Sequence, residues 1–213
     1  TANSSVSRVM ATIAGQPRAF TVAADQMRNA TLRSELRTRE IAAPERIAPH
    51  SIALAAGVAR GNEDDHESDV VDSIYGAGRI ILMYSPESAE EWGGPFRIVC
   101  FAQAPLEVEI GVDPFISDVA WSWLVDALDS RGAEYTFLSG TATKTLSSGF
   151  GSLESQGDSA QIELRASWTP LGEDVSAHAE AWSELLCLLT GLPHQEGVDS
   201  ITARRTRQSL AGE

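Results

Sequence analysis

From residue 78 onward, apolar and polar residues alternate in short runs, and between those runs the apolar positions recur at helical spacing. The alternation predicts strands at 79–85 (RIILMYS), 96–103 (FRIVCFAQ), 106–112 (LEVEIGV), 134–146 and 160–168. Gly93-Gly94-Pro95 and Ala104-Pro105 punctuate the first three. After Asp113-Pro114, a cap followed by a first helical position, Ile116, Val119, Ala120, Trp123, Leu124, Ala127 and Leu128 share one helical stripe that ends at Gly132. Asp174 opens a last helix with Val175, Ala179, Trp182, Leu185, Leu186 and Leu189 on one face, stopped by Gly191 and Pro193. Upstream, Val6, Val9, Met10 and Ile13 mark a helix over 4–14. A mixed-charge stretch reads as helix over 24–40, and a small apolar run as a short helix over 50–59.

Strands joined by short turns pair antiparallel. The expected fold is therefore α+β: a two-layer domain with an antiparallel sheet of about five strands and amphipathic helices on one face. An echo sits inside it. LEVEIGVDPFISDV at 106–119 returns 56 positions later as IELRASWTPLGEDV at 162–175, which predicts a strand–helix unit used twice with Pro114 and Pro170 at equivalent strand exits. The chain divides into an N-terminal helical segment (1–60), an acidic loop (61–77), the α+β body (78–192) and a tail read as disordered (193–213).

Charge changes what this fold is expected to meet. The chain carries a formal charge of −14, and the parts differ in sign: +4 over 1–60, −20 over 61–203 and +2 over 204–213. So acidic a body repels phosphate backbones, which argues against nucleic acid as its partner and leaves a basic protein surface as the charged alternative. The longest apolar stretch, Ile52 to Ala59, is too short to span a bilayer, and no export signal opens the chain. With only Cys100 and Cys187, the expectation is two reduced, packed thiols in a cytoplasmic protein.

Candidate chemistry is sparse. Gly140-Thr-Ala-Thr-Lys144-Thr145 lacks the glycine and the strand-to-helix context of a phosphate loop, and Gly149-Phe150-Gly151 opens no helix. The acids at 63–69 lack the order of a calcium loop, and the four histidines have no zinc spacing, so neither metal nor cofactor is expected. His178 falls on the buried stripe one turn before Trp182 and reads as a core-edge histidine. Glu107 and Glu109 on one predicted strand, with Glu163 and Arg165 on its counterpart, form the one polar grouping able to act as acid, base or anion clamp. Paired charges on a wet sheet face are the plainer explanation of it. No catalytic residue is assigned. Trp121, Val125 and Leu128 form an apolar strip partly turned from the Trp123 stripe, the kind of surface that contacts another chain.

WSWLVDAL, GAEYTFLSGTATKT, AQIELRASWTP, HAEAWSELLCLLTGLP and, upstream, APERIAPHSIALAAGV resemble an actinobacterial family catalogued as domain of unknown function 3000. The resemblance runs from about residue 20 to the tail; it implies a cytoplasmic protein and carries no activity. The order α-βββ-α-ββ-α with low pI is also similar to the secretion-chaperone-like fold, whose members are small acidic proteins that hold partner polypeptides, often as dimers. The expectation is a non-enzymatic adaptor for an unidentified protein partner or a second copy of itself. The alternative is an enzyme or small-ligand binder working on the sheet face around Glu107, Glu163 and Arg165.

Overall fold

The computed structural model describes residues 16–59, 73–172 and 174–194. The helix expected over 4–14, the acids at 63–69 and the tail from 195 lie outside them. Helix α1 (Arg18–Arg28) leads into strands β1 (Leu36–Ile41), β2 (His50–Val58) and β3 (Ala77–Tyr84). A helical turn α2 (Ala89–Trp92), strand β4 (Phe96–Leu106) and a second turn α3 (Val108–Gly111) follow. The order closes with α4 (Ile116–Ser130), β5 (Tyr135–Ser148), β6 (Asp158–Pro170) and α5 (Ser176–Leu189). All strands join one antiparallel sheet in the order β1-β2-β3-β4-β6-β5.

The class is α+β as the pattern predicts, with six strands where five were expected. Setting aside the single-turn helices, the order among the described residues is α-ββββ-α-ββ-α. The difference comes from two stretches. Residues 24–40 are not one helix: α1 stops at Arg28, and 36–41 is an edge strand. Residues 50–59 are the second strand and not a helix. A short apolar run looks the same in either state by periodicity alone, and burial on both faces decides it. Ile52, Leu54 and Val58 face the helices, while Ala53 and Ala55 on the other face are also fully buried. The sheet therefore takes in part of the segment that composition set apart as an N-terminal unit.

The 56-residue echo also fails in its strand half. Residues 106–112 are not a strand: β4 runs straight through Ala104-Pro105 to Leu106, and the chain then winds into α3, where the Ile110 and Gly111 amides donate to the Glu107 carbonyl at 3.0 and 2.9 Å. Pro105 is tolerated because it lies beyond the last β3 partner, Gln103, where β4 keeps a ladder only with β6. Pro170 ends β6, whereas Pro114 follows a helical turn, so the two are not equivalent. What the two share is a local turn: Asp113 Oδ1 accepts the Phe115 amide at 2.8 Å and Asp174 Oδ1 the Ser176 amide at 2.9 Å, but Phe115 and Val175, not the aspartates, flank the helices.

Three helices cover one face of the sheet. α5 lies over β3 and β4, with α1 on one side above β2 and α4 on the other above β5 and β6. Ile80, Leu82, Ile98, Cys100, Ile162, Leu164 and Trp168 point from the strands into this layer and meet Leu124, Leu128, Trp182 and Leu185 from the helices. The residues between them on each strand, including Arg79, Arg97, Phe101, Arg165 and Thr141, occupy the opposite face.

Candidate functional site

At the end of the sheet where β4 gives way to α3, a cavity of about 420 Å3 opens between α3, the start of α4 and the C-terminal end of α5. Leu106, Ile110, Ile116 and Trp123 wall one side; Leu189 and Tyr75 wall the other. The turn of α3 follows directly on the end of β4 and brings Ile110 to the wall of this space. Ile110 is 42% exposed, and Val112 and Phe115 beside it are exposed as well. Among the described residues, these three form an exposed apolar cluster at the rim of the cavity.

Polar groups in the cavity are few. Among the described residues that line it, Glu107 is the one with a charged side chain, and none is Lys or Arg. Thr190 turns its hydroxyl inward to the Cys187 carbonyl at 2.8 Å, so it offers little to a ligand. The carboxyl end of α5 reaches the cavity at Leu188–Gly191, adding the negative pole of a helix to the carboxylate. The site is thus an apolar slot with an acidic lip, suited to an aliphatic or aromatic side chain that arrives beside a positive charge.

The residues that the sequence nominated do not assemble in one place. Glu163 and Arg165 do lie on the open face of β6, where Arg165 Nε meets Glu163 Oε1 at 2.5 Å and the guanidinium sits 5.5 Å from the centre of the Phe101 ring. Thr141, Thr143 and Thr145 on β5 share that face. Glu107 and Glu109, expected beside them, belong to the α3 turn, because the strand that would have carried them is a helix. Glu107 instead lines the apolar cavity. On α4, Leu128 is completely buried and offers no surface, while Trp121 and Val125 are half-buried on the flank that faces the sheet edge. Trp121 packs over Gly140 of β5, where a Cβ would come within 2.7 Å of its ring.

His178 is a core histidine. It is fully buried, accepts the Trp168 indole N–H on Nδ1 at 3.0 Å, and is pushed down to about 4 by loss of solvent, against a smaller opposing pull from Asp174. Its Nε2 is enclosed with no partner among the described residues. Burial also pushes both the Cys100 and Cys187 thiols up to about 12, which leaves neither a ready thiolate. Among the described residues no group of three or more His, Cys, Asp or Glu is placed to hold a metal ion, and no helix is long and apolar enough to cross a membrane.

The family model described as a protein of unknown function, DUF3000, matches residues 16–199. The chain belongs to that family. No curated protein and no solved structure matches it. The match takes in the whole of the described sheet and all three covering helices, so the cavity is built from elements inside the family's boundaries.

The sequence did not point to this slot, because Ile110 and Trp123 were assigned to a strand and to a core stripe. One signal was present. Ile110, Val112, Phe115 and Ile116 crowd apolar groups around Gly111 and Pro114, more than one face of a four-residue turn can bury.

Proposed function

We propose that this DUF3000 protein is a polypeptide-binding adaptor that takes an apolar side chain of a partner, flanked by Arg or Lys, into the slot between α3, α4 and α5. One observation carries the reading: a cavity of about 420 Å3 with apolar walls, an exposed apolar rim and, among the described residues, Glu107 as its only charged side chain. A catalytic centre needs several polar groups converging on one reacting atom, and this slot supplies one carboxylate. The chain's charge of −14 favours the same class of partner and speeds its approach.

Fluorescence anisotropy of labelled amphipathic peptides tests the reading. A peptide with Leu and Phe on one face and Arg on the other is expected to bind, and one with Glu in place of Arg is not. Ile110→Asp should weaken binding about tenfold or more, since it puts an unpaired charge against the entering apolar group, and Glu107→Gln several-fold. Thr143→Ala, on the far face of the sheet, should leave binding unchanged. Failure of every such peptide, or equal binding by Ile110→Asp, overturns the proposal. Loss of self-association in Ile110→Asp without peptide binding would reassign the slot to a second copy of the chain.

A further inference from the structure

A second cavity, of about 460 Å3, lies on the opposite face of the sheet, away from the slot. It is lined by Glu91, Trp92, Arg97, Phe137, Leu138 and Ser139. Arg97 points from β4 to the side without helices and is held by three neutral acceptors. Nη1 donates to the Phe137 carbonyl at 3.2 Å and to Thr169 Oγ1 at 3.1 Å, and Nη2 donates to Ser167 Oγ at 2.7 Å. Thr169 in turn donates to the Trp92 carbonyl, so the guanidinium, the threonine and the α2 turn form one connected chain. Among the described residues no carboxylate is bonded to Arg97; Glu91 lines the same cavity, and the bonds of the guanidinium go to Phe137, Thr169 and Ser167. Burial lowers the Arg97 pKa with no acid to offset it. A guanidinium has five N–H groups, and three are spent here, which leaves Nε–H and one Nη2–H for a ligand.

The backbone around it is strained in a way that serves the cavity. β5 bulges between Thr136 and Ser139, and at the bulge Phe137 takes φ +51°, a conformation a bulky residue rarely adopts. That twist turns the Phe137 carbonyl toward Arg97 and leaves the ring 62% exposed. The ring rests on Gly93, itself at φ +76°, where any Cβ would overlap it. Trp92, half-buried, lines the cavity as well. Arg97, with no acid bonded to it among the described residues, thus lines a cavity that Trp92 and Phe137 also line, and the uncommon backbone conformation at Phe137 supplies one of its acceptors.

We propose that this cavity binds a small aromatic anion, its carboxylate or phosphate on the free N–H groups of Arg97 and its planar ring against Trp92 and Phe137. The two anions share one recognition chemistry, since a guanidinium fork accepts either. Isothermal titration of the full chain with indole-3-acetate, adenosine monophosphate and uncharged adenosine separates them. At least one anion is expected to bind and adenosine not; which anion binds identifies the group. Arg97→Gln should abolish binding, and Arg97→Lys should weaken it about tenfold, because a point charge replaces the fork. Phe137→Gly removes the ring while suiting the positive φ, so it should weaken binding with stability kept or raised, which separates loss of the site from loss of the fold. If neither anion binds at millimolar concentration, or Arg97→Gln binds as the parent does, the assignment is wrong.

Discussion

Helices α4 and α5 carry the same kind of apolar stripe, tryptophan included, and are buried to very different degrees. Eleven of the fourteen residues of α5 are buried, but only five of the fifteen in α4. The cause is position in the layer. α5 lies at the centre of the sheet with a helix on each side, so residues off its stripe are enclosed as well: His178, Ser183 and Glu184 are all at 2% exposure or less. α4 lies at the margin, and its flanks reach solvent. A stripe thus tells which face turns to the sheet, and neighbouring elements decide how far round the helix burial extends. Polar residues on a central helix must then find partners, whereas those on a marginal one are left to water.

Glu184 is where this difference should be largest. Its carboxylate, 2% exposed, takes Arg33 Nη1 at 2.9 Å, Arg131 Nη2 at 3.1 Å and His194 Nδ1 at 3.3 Å. The network ties α5 to the segment after α1 and to the end of α4. Arg33 also reaches Glu35 at 2.5 Å and holds that carboxyl down at about 2. Glu184→Ala would leave Arg33 and Arg131, each under 10% exposed, without their central counter-charge, at an expected cost of about 3–5 kcal/mol in denaturant unfolding. An acid-to-Ala change on the outer side of α4, Asp126→Ala, should fall within about 0.5 kcal/mol. Similar losses at the two sites would remove the distinction between centre and margin.

His178 sharpens the contrast through pH. In the folded chain it stays neutral down to about 4, while in the unfolded chain it takes a proton near its ordinary 6.5. Between those values the unfolded state binds more protons, so stability falls as pH drops, by about 2 kcal/mol at pH 5 relative to pH 7. The comparison that isolates it is with His178→Gln, whose amide oxygen can still accept the Trp168 indole. Denaturation midpoints of the two proteins should converge between pH 7 and pH 5. Parallel curves would mean that His178 charges as easily inside as outside.

The sequence made most of the body legible and the stretch before residue 60 ambiguous. β3, β4, β5, β6, α4 and α5 appear within a few residues of where alternation and helical spacing put them, because each carries a regular apolar period. β2 had no wet face, and its run SIALAAGV read as helix. α3 was lost for a different reason: four residues are too few to show a period, and their alternation of Leu106, Val108 and Ile110 imitated a strand. That one error hid the apolar slot and misplaced Glu107, the single nominated polar residue that lines it. The Arg97 cavity was hidden too, since it depends on a bulge that brings the Phe137 carbonyl within reach of Arg97 across β6, forty residues away in the chain.

Trp121 gives the smallest effect and the finest test of the margin. Its side chain is half-buried and spans from α4 to Gly140 on the edge strand β5, where the absence of a Cβ admits the ring. A fully buried tryptophan such as Trp182 loses about 3–5 kcal/mol when cut to Ala; at roughly half the enclosed area Trp121→Ala should lose about 1–2 kcal/mol. Gly140→Ala reports on the same contact from the strand side, since its Cβ would meet both the ring and the Arg165 carbonyl. If the ring is a structural clamp on β5, the two single changes each destabilise the protein and together cost less than their sum, because either one already breaks the contact. If Trp121 is instead a contact for another chain, its replacement leaves the unfolding midpoint unchanged and lowers self-association or partner binding in sedimentation, and Gly140→Ala has no bearing on it. Measuring midpoint and sedimentation on the same four proteins separates a helix margin that holds its own sheet from one that holds a partner.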